Sequence, residues 1–315
     1  MDLETELQPR SVQNPWVASL CCPECAGPLS ESRAGLVCSR DQAFFATVSG
    51  VHRLLGHERY AELAAATAFH CRVRADEGFK HSAELPRVPR GHAQARIWRQ
   101  RARHFNRFLD WLARERPPAQ AIVDVGAGCC WAARHLAERG HLVAALDINL
   151  DPVDGLTALG EEGGREMGIE RIEADMEFLP LAAGCADVVL LNGALHYARC
   201  PQNVIAEARR ILKPSGSIVI LDSPIYRRSA DGESMVKKKR REFLGRYGYA
   251  PCRDAAAGYF ILAELTRLLE RSGFAVRLVG WPSRIREMGR DIIEIFRHGR
   301  RTARFPMITA KRRSA

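Results

Sequence analysis

The stretch Ala121–Asn149, AIVDVGAGCCWAARHLAERGHLVAALDIN, decides the fold. An apolar β-type run, Ala121-Ile122-Val123, leads into a turn that holds Asp124, Gly126 and Gly128. A helical stretch, Trp131–Arg139, follows, and a second apolar run, Leu142–Leu146, ends on Asp147. Strand, glycine turn, helix, strand and terminal carboxylate make one βαβ unit, the opening of a nucleotide-type site.

The β/α alternation continues beyond it. Short strands are expected at Ile172–Ala174, before Asp175, and at Ala186–Leu191, before Asn192. Pro201–Leu212 reads as a helix, Lys213-Pro214-Ser215-Gly216 as a turn, and Ser217–Leu221 as a strand ahead of Asp222. The segment 223–260 is basic and aromatic and interrupts the pattern. A helix at Ile261–Ser272 and strands at Phe274–Gly280 and Arg304–Lys311 close it. Such alternation means a parallel sheet with helices on both faces, and right-handed crossovers put every strand's C-terminal end on one edge. The closing elements suit a last strand that returns antiparallel.

Three nucleotide-type readings compete for the opening unit. A phosphate loop needs Gly-Lys-Ser/Thr, but Cys129-Cys130-Trp131 follows Gly128. A dinucleotide fingerprint needs a third glycine where Trp131 stands. The remaining reading is the D-x-G-x-G turn. From about Ala121 to Lys311 the chain resembles the class I S-adenosylmethionine-dependent methyltransferases. That resemblance implies a Rossmann-like sheet of seven strands with an antiparallel last strand. It implies cofactor contacts at Asp124, Gly126 and Gly128, and at Asp147 for the ribose hydroxyls. Asp175 and Met176 would meet the adenine, and Asn192 would lie beside the sulfonium. Cys130 departs from the pattern, since many members have a further glycine there.

Upstream, residues 1–57 form a small unit with Cys22-Pro23-Glu24-Cys25 as one metal knuckle and Cys38-Ser39-Arg40-Asp41 as a second. Two knuckles supply four tetrahedral ligands, which makes Cys22, Cys25, Cys38 and Asp41 a zinc-ribbon-like set with zinc as a structural ion. Cys21 and His52 are spare candidates. A metal-free relic held by apolar residues is the alternative. Residues 58–117 read as mostly helical, with Ile97, Phe105, Phe108, Leu109 and Leu112 at helical spacing, and Pro117-Pro118 as the stop. The methyltransferase-like domain then runs over 118–315.

The acceptor is less legible. His196 and Tyr197, in NGALHYARC, follow the fourth strand of the alternation and are the candidate catalytic pair, as base or substrate contact. Tyr226, His52, Trp98, Tyr247 and Tyr249 are candidates for pocket lining or for core and rim packing. The layout of knuckle and domain resembles bacterial large-subunit rRNA guanine-N1 methyltransferases, with Gly50-Val51-His52-Arg53-Leu54-Leu55 matching, but Asp41 and Gln42 stand where a histidine is expected. A second resemblance is to little-studied bacterial methyltransferases sharing the ribbon, Leu195-His196-Tyr197-Ala198, Asp222–Tyr226 and Arg304-Phe305. It implies a small-molecule or glycan- or lipid-linked acceptor. RNA methylation and a silent, methyltransferase-like binding module are the alternatives.

The totals agree with a soluble protein. The chain has 315 residues, ten cysteines and a net charge of +10. From Arg227 onward 22 Lys/Arg face 9 Asp/Glu, so the basic character lies in the C-terminal third. That bias suits an anionic acceptor or RNA, with Lys237–Arg241 as a lid or as a solvated helix face. The acidic start MDLETELQPR is not a secretory signal and no apolar run has transmembrane length, which makes the cytoplasm the expected compartment.

Overall fold

A computed structural model describes residues 15–79, 84–115, 119–250, 258–280, 289–291, 293–296 and 301–313. Cys252, Pro117 and Pro118 lie outside them. The chain opens with strands β1 (Leu29–Ser32), β2 (Gly35–Cys38), β3 (Phe44–Val48) and β4 (Val51–Arg53), followed by helices α1 (His57–Asp76) and α2 (Ala95–Glu115). Next come β5 (Ala121–Val125), α3 (Trp131–Ala137), β6 (Leu142–Asp147), α4 (Glu161–Glu166), β7 (Ile169–Glu173), β8 (Ala186–Asn192) and α5 (Pro201–Ile211). The last part holds β9 (Leu212–Leu221), β10 (Ile225–Tyr226), α6 (Ser229–Tyr247), β11 (Phe260–Ile261), α7 (Leu262–Arg271), β12 (Phe274–Val279) and β13 (Met307–Arg312).

Eleven strands form one sheet in the order β1-β2-β3-β4-β7-β6-β5-β8-β9-β13-β12. Its seven strands from β7 to β12 are the Rossmann-like part. β7, β6, β5, β8 and β9 are parallel, and β13 enters antiparallel between β9 and β12. The central strands are apolar on both faces because helices cover both. Ile122 faces a core built with Trp98, Phe105, Phe108 and Leu112 of α2, while Val123 and Val125 face one built with Val204, Ile205 and Ala208 of α5. Trp131 is buried against α2, its ring 4.9 Å from that of Phe105 and 5.9 Å from that of Trp98. The bulk that denied the dinucleotide reading is therefore core, worth roughly 1.5–3 kcal/mol for each such side chain buried.

Several boundaries differ from expectation; the strand expected at Ile172–Ala174 already begins at Ile169. The last strand begins at Met307, because Pro306 cannot donate to a ladder; Arg304 instead bridges Ile225 and pairs with Asp291 and Glu294. The fifth parallel strand starts at Leu212, which pairs with Ala186; Lys213–Gly216 then bulge out before Ser217 pairs with Val188.

The four N-terminal strands continue the same sheet. A turn at Ser49-Gly50, with φ of 53° and 69°, reverses the chain between β3 and β4 as a tight hairpin demands. β4 then runs parallel to β7, with His52 opposite Ile172 and Arg53 opposite Glu173. Side chains lock this join. His52 Nε2 lies 2.8 Å from Glu170 Oε1, and Arg53 Nε lies 3.1 Å from Glu173 Oε2. Arg171, fully buried, donates to Ser49 O at 3.0 Å and Leu156 O at 3.1 Å.

Candidate functional site

The C-terminal ends of β5, β6, β7 and β8 bring the sequence candidates to one edge. Leaving β5, the chain turns through Gly126 (φ 74°), whose backbone N–H donates to Leu146 O at 2.8 Å. A Cβ on Gly126 would stand 2.4 Å from Ala194 Cβ, so only glycine lets the turn pass beneath the loop after β8. Gly128 (φ 52°) gives its N–H to Asp147 Oδ2 at 2.7 Å. Cys130 also has a positive φ of 59° and is fully buried; the turn keeps the backbone shape that a glycine would adopt there.

Asp147 caps β6 with both oxygens in use. Oδ1 accepts from Asn149 N at 2.9 Å, and Oδ2 accepts from Gly128 N. Each oxygen keeps a second lone pair. Burial raises the pKa of Asp147. Asp124 is the stronger case. Its carboxylate is fully buried with no hydrogen-bond partner among the described residues, and burial, with the Asp147 charge added, pushes it up to about 7.

Asp175 follows β7 and is buried. Its Oδ1 accepts from Glu177 N at 2.9 Å, and its Oδ2 accepts from Arg59 Nε at 2.7 Å and also from Arg59 Nη2. Sequence reasoning missed Arg59, which belongs to α1. The rest of that helix also faces the site. Cys71 Sγ is 3.4 Å from Asn149 Oδ1, and Arg74 Nε donates to Asp154 Oδ2 at 2.8 Å. The His70 ring stands edge-on to Tyr197, 5.7 Å away. Helix α6 packs behind α1, with Phe243, Tyr247 and Tyr249 around Phe69. Helix α1 is thus a cover spanning the ends of β6, β7 and β8.

Met176 lies partly buried, its Cε 4.0 Å from where a Gly126 Cβ would be. Asn192 ends β8, and the N–H of Gly193 (φ 71°) donates to Leu221 O at 2.9 Å. The His196 ring lies tilted against that of Tyr197 with centroids 4.2 Å apart, and its Nδ1 is 3.4 Å from Ser223 Oγ. Tyr197 is exposed and Tyr226 is buried against Tyr259. Trp98 is core. Lys237–Arg241 are all exposed on α6, as a solvated helix face is.

In the N-terminal unit, ligand atoms of Cys22, Cys25, Cys38 and Asp41 lie within 4.8 Å of one another. Cys22 Sγ is 3.4 Å from Asp41 Oδ2, and Cys25 Sγ is 3.4 Å from Cys38 Sγ. The two spare candidates are elsewhere: His52 is held by Thr47 and Glu170, and Cys21 by Ser19 O.

Comparison with known proteins agrees with this geometry. Residues 123–220, which run from β5 into β9, match the family described as "Methyltransferase domain". It is 35% identical over 134 residues to a dimethylglycine N-methyltransferase from Parasynechococcus marenigrum, covering 42% of this chain and 46% of that one. It is 27% identical over 175 residues to a malonyl-[acyl-carrier protein] O-methyltransferase from Geobacter sulfurreducens, covering 55% and 62%. The chain thus spans about half the length of the curated relatives it matches. A solved structure of 1,6-didemethyltoxoflavin-N1-methyltransferase from Burkholderia thailandensis has a TM-score of 0.46 and 18% identity, covering 87% of this chain and 97% of that one. Among the described residues no helix is long and apolar enough to cross a membrane.

Proposed function

We propose that the protein is an S-adenosylmethionine-dependent methyltransferase acting on a small-molecule or carrier-linked acceptor. The observation that carries this reading is Asp147. It ends β6, is fixed by Gly128 N and Asn149 N, and keeps one lone pair on each oxygen, which is the acceptor set that a ribose diol requires. Gly126 and Gly128 leave the edge open for the methionine and ribose parts. Asp175 accepts from the adenine amino group, Met176 packs on the ring, and Asn192 borders the sulfonium. When bound, the cofactor supplies an electrophilic methyl group. The chain aligns the acceptor for in-line displacement, with His196 and Tyr197 on the acceptor side, and α1 excludes water. The relatives named above act, by their names, on small or carrier-linked acceptors, which supports the same class here.

The test is calorimetry with S-adenosylhomocysteine, followed by transfer of labelled methyl into fractionated cell extract. Asp147→Ala should weaken binding at least about tenfold, since it removes the diol acceptor and leaves two backbone N–H groups unpaired. Equal binding by that variant would favour a silent binding module, and label confined to RNA would favour the RNA reading.

We also infer that Cys22, Cys25, Cys38 and Asp41 hold one structural zinc ion. Their mutual distances suit a tetrahedral site with Zn–S near ~2.3 Å. Elemental analysis of freshly purified protein tests it: one zinc per chain is expected, and none would end the claim.

A further inference from the structure

Beyond the cofactor edge, a second group of side chains converges on Gly193, directly after Asn192. A Cβ on Gly193 would lie 3.8 Å from Arg101 Nη2 and 3.8 Å from Asp222 Cβ. Arg101 and His104 stand one helical turn apart on α2 and so share a face. His104 Nδ1–H donates to Asp222 Oδ1 at 2.6 Å. Asp222 sits at φ 49° although it is not glycine, and its Oδ2 is buried without a partner among the described residues. A strained, non-glycine backbone carrying an under-bonded carboxylate is a mark of a functional site. Ser223, the next residue, touches His196, which brings the candidate acceptor-side histidine to the same place.

Arg101 differs from the other half-buried arginines near the site. Arg59 is neutralised by Asp175 and Arg74 by Asp154. The buried Arg171 is held by backbone carbonyls through Nη1 and Nη2, with Nε left without a partner among the described residues. Arg101 rests over the Trp98 ring at 5.0 Å and has no carboxylate within ion-pair distance among the described residues. Asp222, its neighbour across Gly193, is committed to His104. A partly desolvated guanidinium without a counter-charge is costly, and a bound anion removes that cost.

We propose that Gly193 is the floor of the acceptor site, that Arg101 holds a carboxylate or phosphate of the acceptor, and that His104, oriented by Asp222, is the catalytic base. This rests on the methyltransferase reading above. With Nδ1–H given to Asp222, neutral His104 keeps its lone pair on Nε2. The acceptor's N–H or O–H loses its proton to that nitrogen and forms the bond to the methyl carbon. The C–S electron pair stays on sulfur, so positive charge passes from sulfonium to an imidazolium that the Asp222 carboxylate stabilises. His196 then contacts the acceptor through the Ser223 side rather than taking the proton.

The experiment uses full-length protein, labelled S-adenosylmethionine and cell extract separated by anion exchange. Wild type should label a small-molecule fraction retained on the anion exchanger. Arg101→Met should lower that labelling at least about tenfold with unchanged affinity for S-adenosylhomocysteine. His104→Asn, which keeps a donor for Asp222 but has no base, should lower it by about 10²-fold, with partial rescue by added imidazole. Unchanged cofactor affinity doubles as the folding control, and Arg101→Gln is the smaller change if Arg101→Met does not fold. Label only in unretained fractions, or full labelling by the Arg101 variants, overturns the anion anchor. Full labelling by His104→Asn overturns the base. No label in any fraction from wild type overturns the methyltransferase reading instead.

Discussion

Arg59, near the start of α1, holds the carboxylate of Asp175 at the end of β7 through two N–H groups. Those two donors fill the lone pairs of Oδ2, and Glu177 N takes one of those on Oδ1. The residue proposed above to meet adenine is therefore latched by the cover in this conformation.

A latch of this kind lowers apparent affinity by the fraction of time it is open. Arg59→Met should bind S-adenosylhomocysteine several-fold tighter and faster than wild type. The same variant should expose α1 to limited proteolysis, because the remaining contacts of its first turn are with exposed residues such as Glu62. Calorimetry and stopped-flow binding measure the first effect, and tryptic half-life the second. Weaker binding with unchanged proteolysis would show that Arg59 belongs to the cofactor site and is no latch.

The buried Asp124 makes stability depend on pH. Its folded pKa, about 7, lies above the usual carboxylate value, so the folded state binds the proton more tightly than the unfolded chain. Its contribution is most favourable below about pH 4 and is lost as pH rises to about 7. Asp124→Asn should gain stability over wild type across that window, by on the order of a few kcal/mol, and hold the gain above it. Melting temperatures at pH 4, 6 and 8 give the test; a difference independent of pH would refute the buried charge.

The turn after β5 makes a steric prediction. Gly126→Ala puts a methyl 2.4 Å from Ala194 Cβ and also strains a backbone at φ 74°. Cofactor binding should fall below detection in calorimetry. Adding Ala194→Gly frees the space without freeing the backbone, and should restore only part of the affinity. Full restoration would assign the whole effect to the clash.

The zinc reading predicts a local loss of order. A chelator, or Cys38→Ser, should lower the melting temperature and speed hydrogen exchange in β1–β3 while leaving β8 and β9 protected. Mass-resolved exchange distinguishes this from uniform unfolding.

The central unit was legible because its signals are local. Ala121–Val125, Trp131–Ala137 and Leu142–Asp147 match the strand, helix and strand read there, and the parallel sheet with an antiparallel last strand agrees with the reading of the alternation. What sequence spacing could not carry were pairs far apart in the chain. Arg59 meets Asp175 across 116 positions and His104 meets Asp222 across 118. Each looked like one more polar residue on an exposed helix face. His52 shows the same limit: its place near the cysteines suggested a spare ligand, whereas strand pairing sends it to Glu170. Glu170, Arg171 and Glu173 crowd charge into a buried strand, and nothing local announces that β4 will come to neutralise it.

That join between β4 and β7 bears on whether copies of the chain pair edge to edge. Without the first four strands, β7 would be a bare sheet edge, with an unpaired backbone ladder and Ile169 and Ile172 beside it. The edge that replaces it is β1, four residues long, polar and largely exposed as Leu29-Ser30-Glu31-Ser32. Such an edge gives another chain little to add to. A chain shortened to begin at Gly56 should keep its cofactor strands yet self-associate, and light scattering on purified material would register the difference.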